Sequence, residues 1–379
     1  MNFFIRTGLL LAFTGFYGCG QPAQHTGIPS ETVKYAGPNA GSLSEFIQSV
    51  EVLPLRHENK HFIGAVDQIF HQDSSYYITD SKTGTIFRFN EEGKFLNNIG
   101  TKGKGPQEYH SALSYSVDEK EDQVYIQGGP VFTLKLFRYL KNGKWLEKKE
   151  VPLNVSHFTH KDHTFWVHLN PLNKVYRSRI LRLDRNLQVR DSFLPLQTEP
   201  IPFMTPRHMF YSYQNRLYFW LPMENRLYAI QQDSVYLCYT FDFGNQNIPE
   251  LDPSLEPMKI LQIVSSKEYC DLQSFMENDR YQLALFSREN PVVPRTPFVY
   301  GIRDKKTGKW QWVDAEDNSN WYKNKIYGFD KNGRLICFLL GYEMEAFIKN
   351  NKSLVSNPEV LSSFNPEQDM FLVLCTLKR

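Results

Sequence analysis

Between residues 62 and 109, short apolar runs alternate with turns made of Gly, Asp, Asn and Ser. The runs are rich in Ile, Tyr, Phe and Thr and span residues 63–70, 76–79, 85–89 and 94–99. Runs of this kind are typical of β-strands, and the short turns between them predict an antiparallel meander. Ile86 and Phe87 are consecutive apolar residues, so both faces of the sheet need an apolar cover. Such a sheet is typical of one blade of a β-propeller.

The same pattern returns along the chain. We predict six units with a period of roughly 45–55 residues, which is within the range of propeller repeats. Helical interruptions are predicted at residues 253–266, 343–348 and 358–364. The strands predicted at residues 50–55 and 370–377 have no nearby partner, and pairing them would close the ring. The predicted fold is therefore an all-β, six-bladed propeller with four-stranded antiparallel blades, small helical insertions and closure by N-terminal and C-terminal strands.

The first unit also resembles a known family. The residues that carry the resemblance are YITDSKTGTIFRFNEEGKFLNNIG and the following GKGPQEY. They resemble an NHL-type blade and are similar to the first blade of six-bladed β-propeller lipoproteins of Bacteroides-like bacteria. That blade has a strand ending in Asp (here Asp80), a strand ending in Phe (here Phe89) and a G-x-G-P-x-E-Y connector (here residues 103–109). Residues 82–85 lack the Asn and Arg usual in NHL repeats, so no ligand role is transferred from that Arg.

Composition narrows the class of protein. Aromatic residues make up 15% of the chain, including 28 Phe and 21 Tyr, which favours strands over helices. A formal net charge of +2 argues against a nucleic-acid partner, because it supplies no strong field to attract phosphates. Five cysteines are too few for a disulfide scaffold in 379 residues.

The N-terminus carries the signs of a bacterial export signal. Residues 7–17 form an apolar segment of signal-peptide length, and Gly18-Cys19 follows it. This arrangement resembles a lipobox, which implies cleavage before Cys19 and acylation of its thiol; an ordinary signal peptide or an uncleaved anchor is the alternative. We therefore predict a lipoprotein signal peptide at residues 1–18, a flexible tether at residues 19–42 and the propeller at residues 43–379. The absence of an acidic run after Cys19 favours a periplasm-facing protein in the cell envelope.

The candidate chemistry is sparse. His157, His160, His163 and His168 are the densest group of possible metal ligands. Residues three apart in a strand point to opposite faces, so these histidines do not converge by themselves, and we predict no metal site and no cofactor. Asp67 and Asp80 belong to the first two strands of the first blade and are weak candidates for ligand binding at the channel. The competing interpretation of Asp80 is that it caps the following turn.

No motif of a known catalytic site is visible, so no catalytic residue is predicted. The favoured function is a lipid-anchored module of the cell envelope that binds a protein, a small molecule or a glycan. The alternative is an enzyme, such as a lyase or hydrolase, with its site at the channel mouth. A cluster of His and carboxylate at one mouth would favour the enzyme, and an aromatic rim would favour binding.

Overall fold

The structure, a computed structural model, describes residues 30–378 except 57–62, 111, 113, 130–132, 171, 172, 174, 197–207, 250, 251, 253, 254, 265, 290–297, 315–325 and 363. In this part of the chain, the strands form six sheets, and two of these sheets include a strand from the N-terminal part of the chain. Two strands precede the first complete sheet: β1 (Glu31–Lys34) and β2 (Ile47–Pro54). The short turns between successive strands make each sheet an antiparallel meander, as the sequence predicts.

The strands of the first three blades follow in chain order, four to a blade. Blade one contains β3 (Val66–Gln72), β4 (Ser75–Asp80), β5 (Thr85–Asn90) and β6 (Phe95–Asn98). Blade two contains β7 (Ser114–Asp118), β8 (Gln123–Gln127), β9 (Leu134–Leu140) and β10 (Trp145–Val151). Blade three contains β11 (Val155–Lys161), β12 (Thr164–Leu169), β13 (Ser178–Leu183) and β14 (Val189–Pro195).

The last three blades complete the ring. Blade four contains β15 (Phe210–Tyr213), β16 (Arg216–Trp220), β17 (Arg226–Gln231) and β18 (Ser234–Asp242). Blade five contains β19 (Tyr269–Glu277), β20 (Tyr281–Glu289), β21 (Phe298–Asp304) and β22 (Lys309–Asp314). Blade six contains β23 (Ile326–Phe329), β24 (Leu335–Leu340) and β25 (Met370–Leu377), with β2 as its fourth strand.

The helical insertions are short and lie between strands. They are α1 (Pro257–Val264), α2 (Gly341–Asn351) and the 3₁₀ turns Leu43–Phe46, Gly244–Gln246, Lys352–Leu354 and Pro358–Ser362. α1, α2 and Pro358–Ser362 correspond to the predicted helical interruptions, and the other 3₁₀ turns were not predicted. No helix among the residues that the structure describes is long and apolar enough to cross a membrane.

The predicted ring closure is confirmed. β2 pairs antiparallel with β25, with Val52 opposite Val373 and Leu53 opposite Leu372. Val52, Leu372 and Val373 are at most 1% exposed. The chain closes its ring here because each of these strands presents an apolar face and an unpaired edge, and the pairing satisfies both.

One part of the domain prediction is wrong. Within the predicted tether of residues 19–42, β1 pairs in parallel with β18 and becomes a fifth strand of blade four. Val33 is only 4% exposed, and the backbone N–H groups of Asn39 and Ala40 both donate to the carbonyl of Trp312 in blade five. A short polar strand carries little periodicity, but the open edge of β18 offers it backbone partners. The rest of the tether prediction, up to residue 29, lies outside the described residues, as does Cys19.

The core lies between neighbouring blades. Apolar side chains from adjacent sheets interdigitate, for example Ile69, Ile78 and Phe89 of blade one with Ile336 and Leu374 of blade six. Among the residues that the structure describes, the cysteines are buried free thiols: Cys238, Cys270, Cys337 and Cys375. The innermost strands lie around a central channel, at the positions that determine any ligand site.

Candidate functional site

The channel contains a cavity of about 350 Å³. Five of the innermost strands line it, namely β3, β7, β11, β15 and β23, and the cavity opens where these strands turn into the second strands of their blades. Its aromatic lining residues are Phe70, Tyr115, Phe158, Phe210, Tyr211, Tyr327 and Phe329. Its polar lining residues include Gln68, Ser114, Ser116, His157, Thr159, His208 and Ser212. The wall therefore mixes aromatic rings with uncharged polar groups.

Several charged residues of this region belong to the turns at the rim, and some of them form ion pairs. Lys120 Nζ lies 2.6 Å from Asp162 Oδ1, which joins the rim turns of blades two and three. Lys141 pairs with both Asp73 and Asp122 and so joins blades one and two. These pairs neutralise part of the charge at the rim and join the turns of neighbouring blades.

Asp67 lies on the innermost strand of blade one, β3, and makes a contact across the ring. It faces His208, which comes from blade four on the opposite side of the ring. His208 Nε2 lies 3.0 Å from the backbone oxygen of Asp67 and 3.7 Å from Asp67 Oδ2. Because a carbonyl oxygen only accepts, Nε2 carries the hydrogen in this contact. The contact links two blades across the channel, and the ligand-binding role of Asp67 stays a prediction.

Asp80 caps the turn that follows it, which is the competing interpretation of this residue. Its side chain is buried, and Asp80 Oδ1 accepts hydrogen bonds from the backbone N–H groups of Ala65 and Lys82. Oδ2 accepts from the hydroxyl of Thr83 at 3.1 Å. Asp80 therefore caps its own turn, and its oxygens face the blade instead of the channel cavity, whose lining does not include Asp80.

The histidines separate into two groups. His157 and His168 are opposite each other on β11 and β12, and both are buried. Burial, followed by the charge of His157, lowers the pKa of His168 to about 3, so its imidazole is neutral at ordinary pH. The prediction that the four histidines do not converge on one another agrees with this separation.

The second group, His160 and His163, meets carboxylates of the preceding blade. His160 Nδ1 lies 3.3 Å from Asp118 Oδ2, and His163 Nδ1 lies 3.1 Å from Glu121 Oε1. Ligand atoms of Asp118, Glu121 and His163 all lie within 4.8 Å of one another. We call these three residues with His160 the rim cluster. Burial lowers the pKa of His160 to about 4, although the nearby Asp118 opposes that shift, so this imidazole is also neutral.

Sequence reasoning missed the two carboxylates of the rim cluster. Asp118 ends β7 and Glu121 belongs to the turn between β7 and β8, while His163 belongs to the equivalent turn between β11 and β12. Equivalent turns of consecutive blades are neighbours in a propeller. The acidic turn one repeat before the histidines could therefore have indicated these carboxylates. The spacing of the histidines alone could not.

Together, the ring of sheets and the polar-aromatic channel define a six-bladed β-propeller with a candidate binding cavity at one mouth. Residues 31–376 match the model of a family described as a domain of unknown function, DUF4934, and the chain belongs to that family. No curated protein matches the chain.

Two solved structures share the fold. A Bacteroides fragilis protein whose name describes it as exported is 16% identical and has a TM-score of 0.74, and the match covers 92% of this chain and 99% of that one. A member of the DUF4221 family from Bacteroides vulgatus is 10% identical with a TM-score of 0.53, over 88% of this chain and 98% of that one. These similarities confirm the propeller. The NHL-type and lipoprotein parts of the resemblance stay predictions.

Proposed function

We propose that the chain is an exported, lipid-anchored binding module whose channel cavity binds a neutral, hydroxyl-rich ligand such as the end of a glycan. The single observation that carries the ligand class is the cavity wall. Aromatic rings offer flat apolar faces to the C–H faces of a sugar, and amides, hydroxyls and imidazoles offer donors and acceptors to its hydroxyl groups. The wall around Gln68, Phe70 and Thr159 combines both kinds of group.

The charges argue in the same direction. A site for a strongly charged ligand presents unpaired groups of the opposite sign, and such groups are worth most when they are buried. Here Lys120 and Asp162 pair with each other at the rim. The cavity volume of about 350 Å³ belongs to the lower part of the range of small-molecule sites, which is about 300–1,000 Å³.

Binding to a panel of neutral oligosaccharides tests the ligand class, with the purified propeller in a calorimeter. Gln68→Ala and Thr159→Val remove hydrogen-bonding groups from the cavity wall, and each should weaken binding by about tenfold or more, since one good hydrogen bond is worth about 1 kcal/mol and an unpaired ligand hydroxyl costs more. Gln188→Ala, on the exposed turn before β14, should leave binding unchanged. A panel without any binder, or binding that both cavity variants leave intact, would contradict the proposal.

The anchor and the export route rest on the N-terminal sequence, and the name of the Bacteroides fragilis protein agrees with export. Replacing Cys19 with Ala should move the protein from the membrane fraction to the soluble fraction, because the acyl chains would be lost. A Cys19→Ala protein that partitions into detergent as strongly as the wild type would contradict lipid anchoring.

The second candidate is a hydrolase or lyase at the channel mouth. The observation that favours it is the rim cluster, which brings imidazoles and carboxylates together at one mouth. Cleavage of an oligosaccharide from the same panel, lost on Glu121→Gln, would support the enzyme. A bound and uncleaved oligosaccharide supports the binding module.

A further inference from the structure

We propose that Asp118, Glu121 and His163 form a binding site for a first-row divalent metal ion of the Zn²⁺ type, at the junction of blades two and three. The proposal stands independently of the ligand class proposed for the cavity. It rests on the geometry of the donor atoms, on the buried imidazole of His160 beside them and on the chemistry of the donor set.

The donor atoms already have the spacing of a coordination shell. Zn²⁺ binds nitrogen and oxygen ligands at about 2.0–2.2 Å, so two ligand atoms of one tetrahedral ion are about 3.3–3.6 Å apart. His163 Nδ1 and Glu121 Oε1 are 3.1 Å apart, and all three ligand atoms lie within 4.8 Å of one another. Small rotations of exposed side chains would therefore be enough to enclose an ion.

The backbone holds Asp118 in place for this role. Its Oδ1 accepts hydrogen bonds from the backbone N–H groups of Lys120 and Glu121, at 3.0 and 3.2 Å. These bonds fix the carboxylate and direct Oδ2 towards His160. Fixing one ligand in this way lowers the entropy lost when an ion binds, and such supporting contacts are usual at metal sites.

His160 supplies the second, independent observation. Its side chain is 2% exposed, and its Nδ1 is buried and makes no hydrogen bond, although Asp118 Oδ2 is only 3.3 Å away. A buried polar atom without a hydrogen bond costs free energy, so it indicates a partner that this pair of residues does not provide. An ion at Asp118 Oδ2 would be close enough to polarise or bind this nitrogen.

The donor set selects the kind of ion. Imidazole together with carboxylate suits Zn²⁺ and its first-row neighbours, whereas Ca²⁺ and Mg²⁺ prefer shells made of oxygen alone. Two carboxylates balance the charge of a divalent ion, and the nearby ammonium of Lys120 is paired with Asp162. The side chains of His163 and Glu121 are 47% and 33% exposed, so water would complete the shell and the ion would exchange with solvent.

An entry path is present as well. A groove of about 180 Å³ lies on the outer side of the cluster and is lined in part by Glu121, His160 and His163. His160 also lines the channel cavity, so a bound ion would lie in the wall between the groove and the channel. It would join the rim turns of two blades, and a ligand that binds only the folded state raises the melting temperature.

Calorimetric titration of the chelator-treated propeller with ZnCl₂ tests the proposal. We expect about one ion per chain and a melting temperature that rises with Zn²⁺ concentration. His163→Asn and Glu121→Gln should each weaken Zn²⁺ binding by about tenfold or more. Asn tolerates the left-handed backbone at position 163 (φ 62°), so the metal-free variants should melt with the wild type. CaCl₂ should bind at least about tenfold more weakly than ZnCl₂.

The matched controls are Glu119→Gln, in the same turn as Glu121, and His110→Asn, at an exposed histidine elsewhere. Both should bind Zn²⁺ like the wild type. The proposal is overturned if Zn²⁺ does not bind, if both cluster variants bind it unchanged, or if His110→Asn weakens binding as much as His163→Asn does.

Discussion

Two junctions between strands show how differently this ring is held together. The closure, where β2 pairs with β25, buries apolar side chains such as Val52, Leu372 and Val373. The junction between β7 of blade two and β11 of blade three buries polar groups instead. Ser116 Oγ accepts from the backbone N–H of His160 at 3.0 Å and donates to its carbonyl at 3.3 Å. We call this second junction the polar seam.

The difference separates stability from function. Apolar burial is non-directional and contributes roughly in proportion to area, so any apolar strand of suitable shape could close the ring. Polar burial contributes little net free energy and requires an individual partner for each group. A junction that buries several polar groups therefore contributes little to the stability of the fold. Such a junction is instead an indication of a functional site. The channel cavity and the rim cluster both lie along the polar seam.

The largest expected effect is at the closure. A chain ended before Phe371 loses most of β25, and this removes the central partner of both β2 and β24. Each fully buried side chain contributes roughly 1.5–3 kcal/mol, so the loss rivals the whole net stability of a domain. We expect the propeller to unfold as a unit, measured by thermal melting followed by circular dichroism. A truncated chain that melts cooperatively near the wild-type temperature would show that closure is dispensable.

A smaller effect is expected for a single side chain at the closure. Leu372→Ala removes a side chain with no measurable exposure and should lower the free energy of unfolding by about 2–5 kcal/mol, through lost burial and the cavity left behind. Denaturant titration measures it. The control is Leu96→Ala, at a leucine that is 42% exposed, and it should change stability little. Equal costs at the two positions would contradict an apolar closure.

The contrast also explains what the sequence predicts. Alternating apolar runs and turn residues are local signals, so they predict the strands and turns of each blade. The strands at residues 50–55 and 370–377 have no partner nearby in sequence, and their unpaired edges therefore predicted a distant pairing. β1 was missed because four residues, of which only Val33 is fully buried, carry too little pattern.

The candidate site was less predictable for a physical reason. Which side chains of two turns meet depends on the rotation from one blade to the next, and a pattern along one strand contains no such information. Asp118 is therefore unremarkable in sequence, although it lies close to His163 in the ring. The capping role of Asp80, by contrast, depends only on its own turn and could be anticipated.

At the polar seam, the loss of one hydroxyl should cost less than the loss of Leu372. Ser116→Ala leaves the buried backbone N–H of His160 without its partner, so the free energy of unfolding should fall by about 1–3 kcal/mol. Denaturant titration again measures the change, and Ser212→Ala, at an exposed serine, is the control. A Ser116→Ala protein as stable as the wild type would mean that water satisfies this N–H and that the seam is wetter than the closure.

The smallest expected effect is on the pH dependence of stability, at a histidine beside the polar seam. Burial, then His157, lowers the pKa of His168 from 6.5 to about 3. The unfolded chain protonates this imidazole as the pH falls below 6.5, whereas the folded chain keeps it neutral, so its contribution to stability is complete above pH 6.5 and is lost as the pH falls towards 3.

Within that window, one histidine held neutral changes the free energy of unfolding by about 1.4 kcal/mol per pH unit. His168→Asn should therefore lose stability less steeply than the wild type between about pH 6 and pH 4.5, by up to that amount per unit. Denaturant titrations at several pH values give the slopes, and His110→Asn, at an exposed histidine, should keep the wild-type slope. Slopes are compared instead of absolute stabilities because the substitution itself changes packing. Equal slopes for His168→Asn and the wild type would mean that His168 is protonated in the folded chain over this pH range. Burial beside the polar seam would then not keep this imidazole neutral.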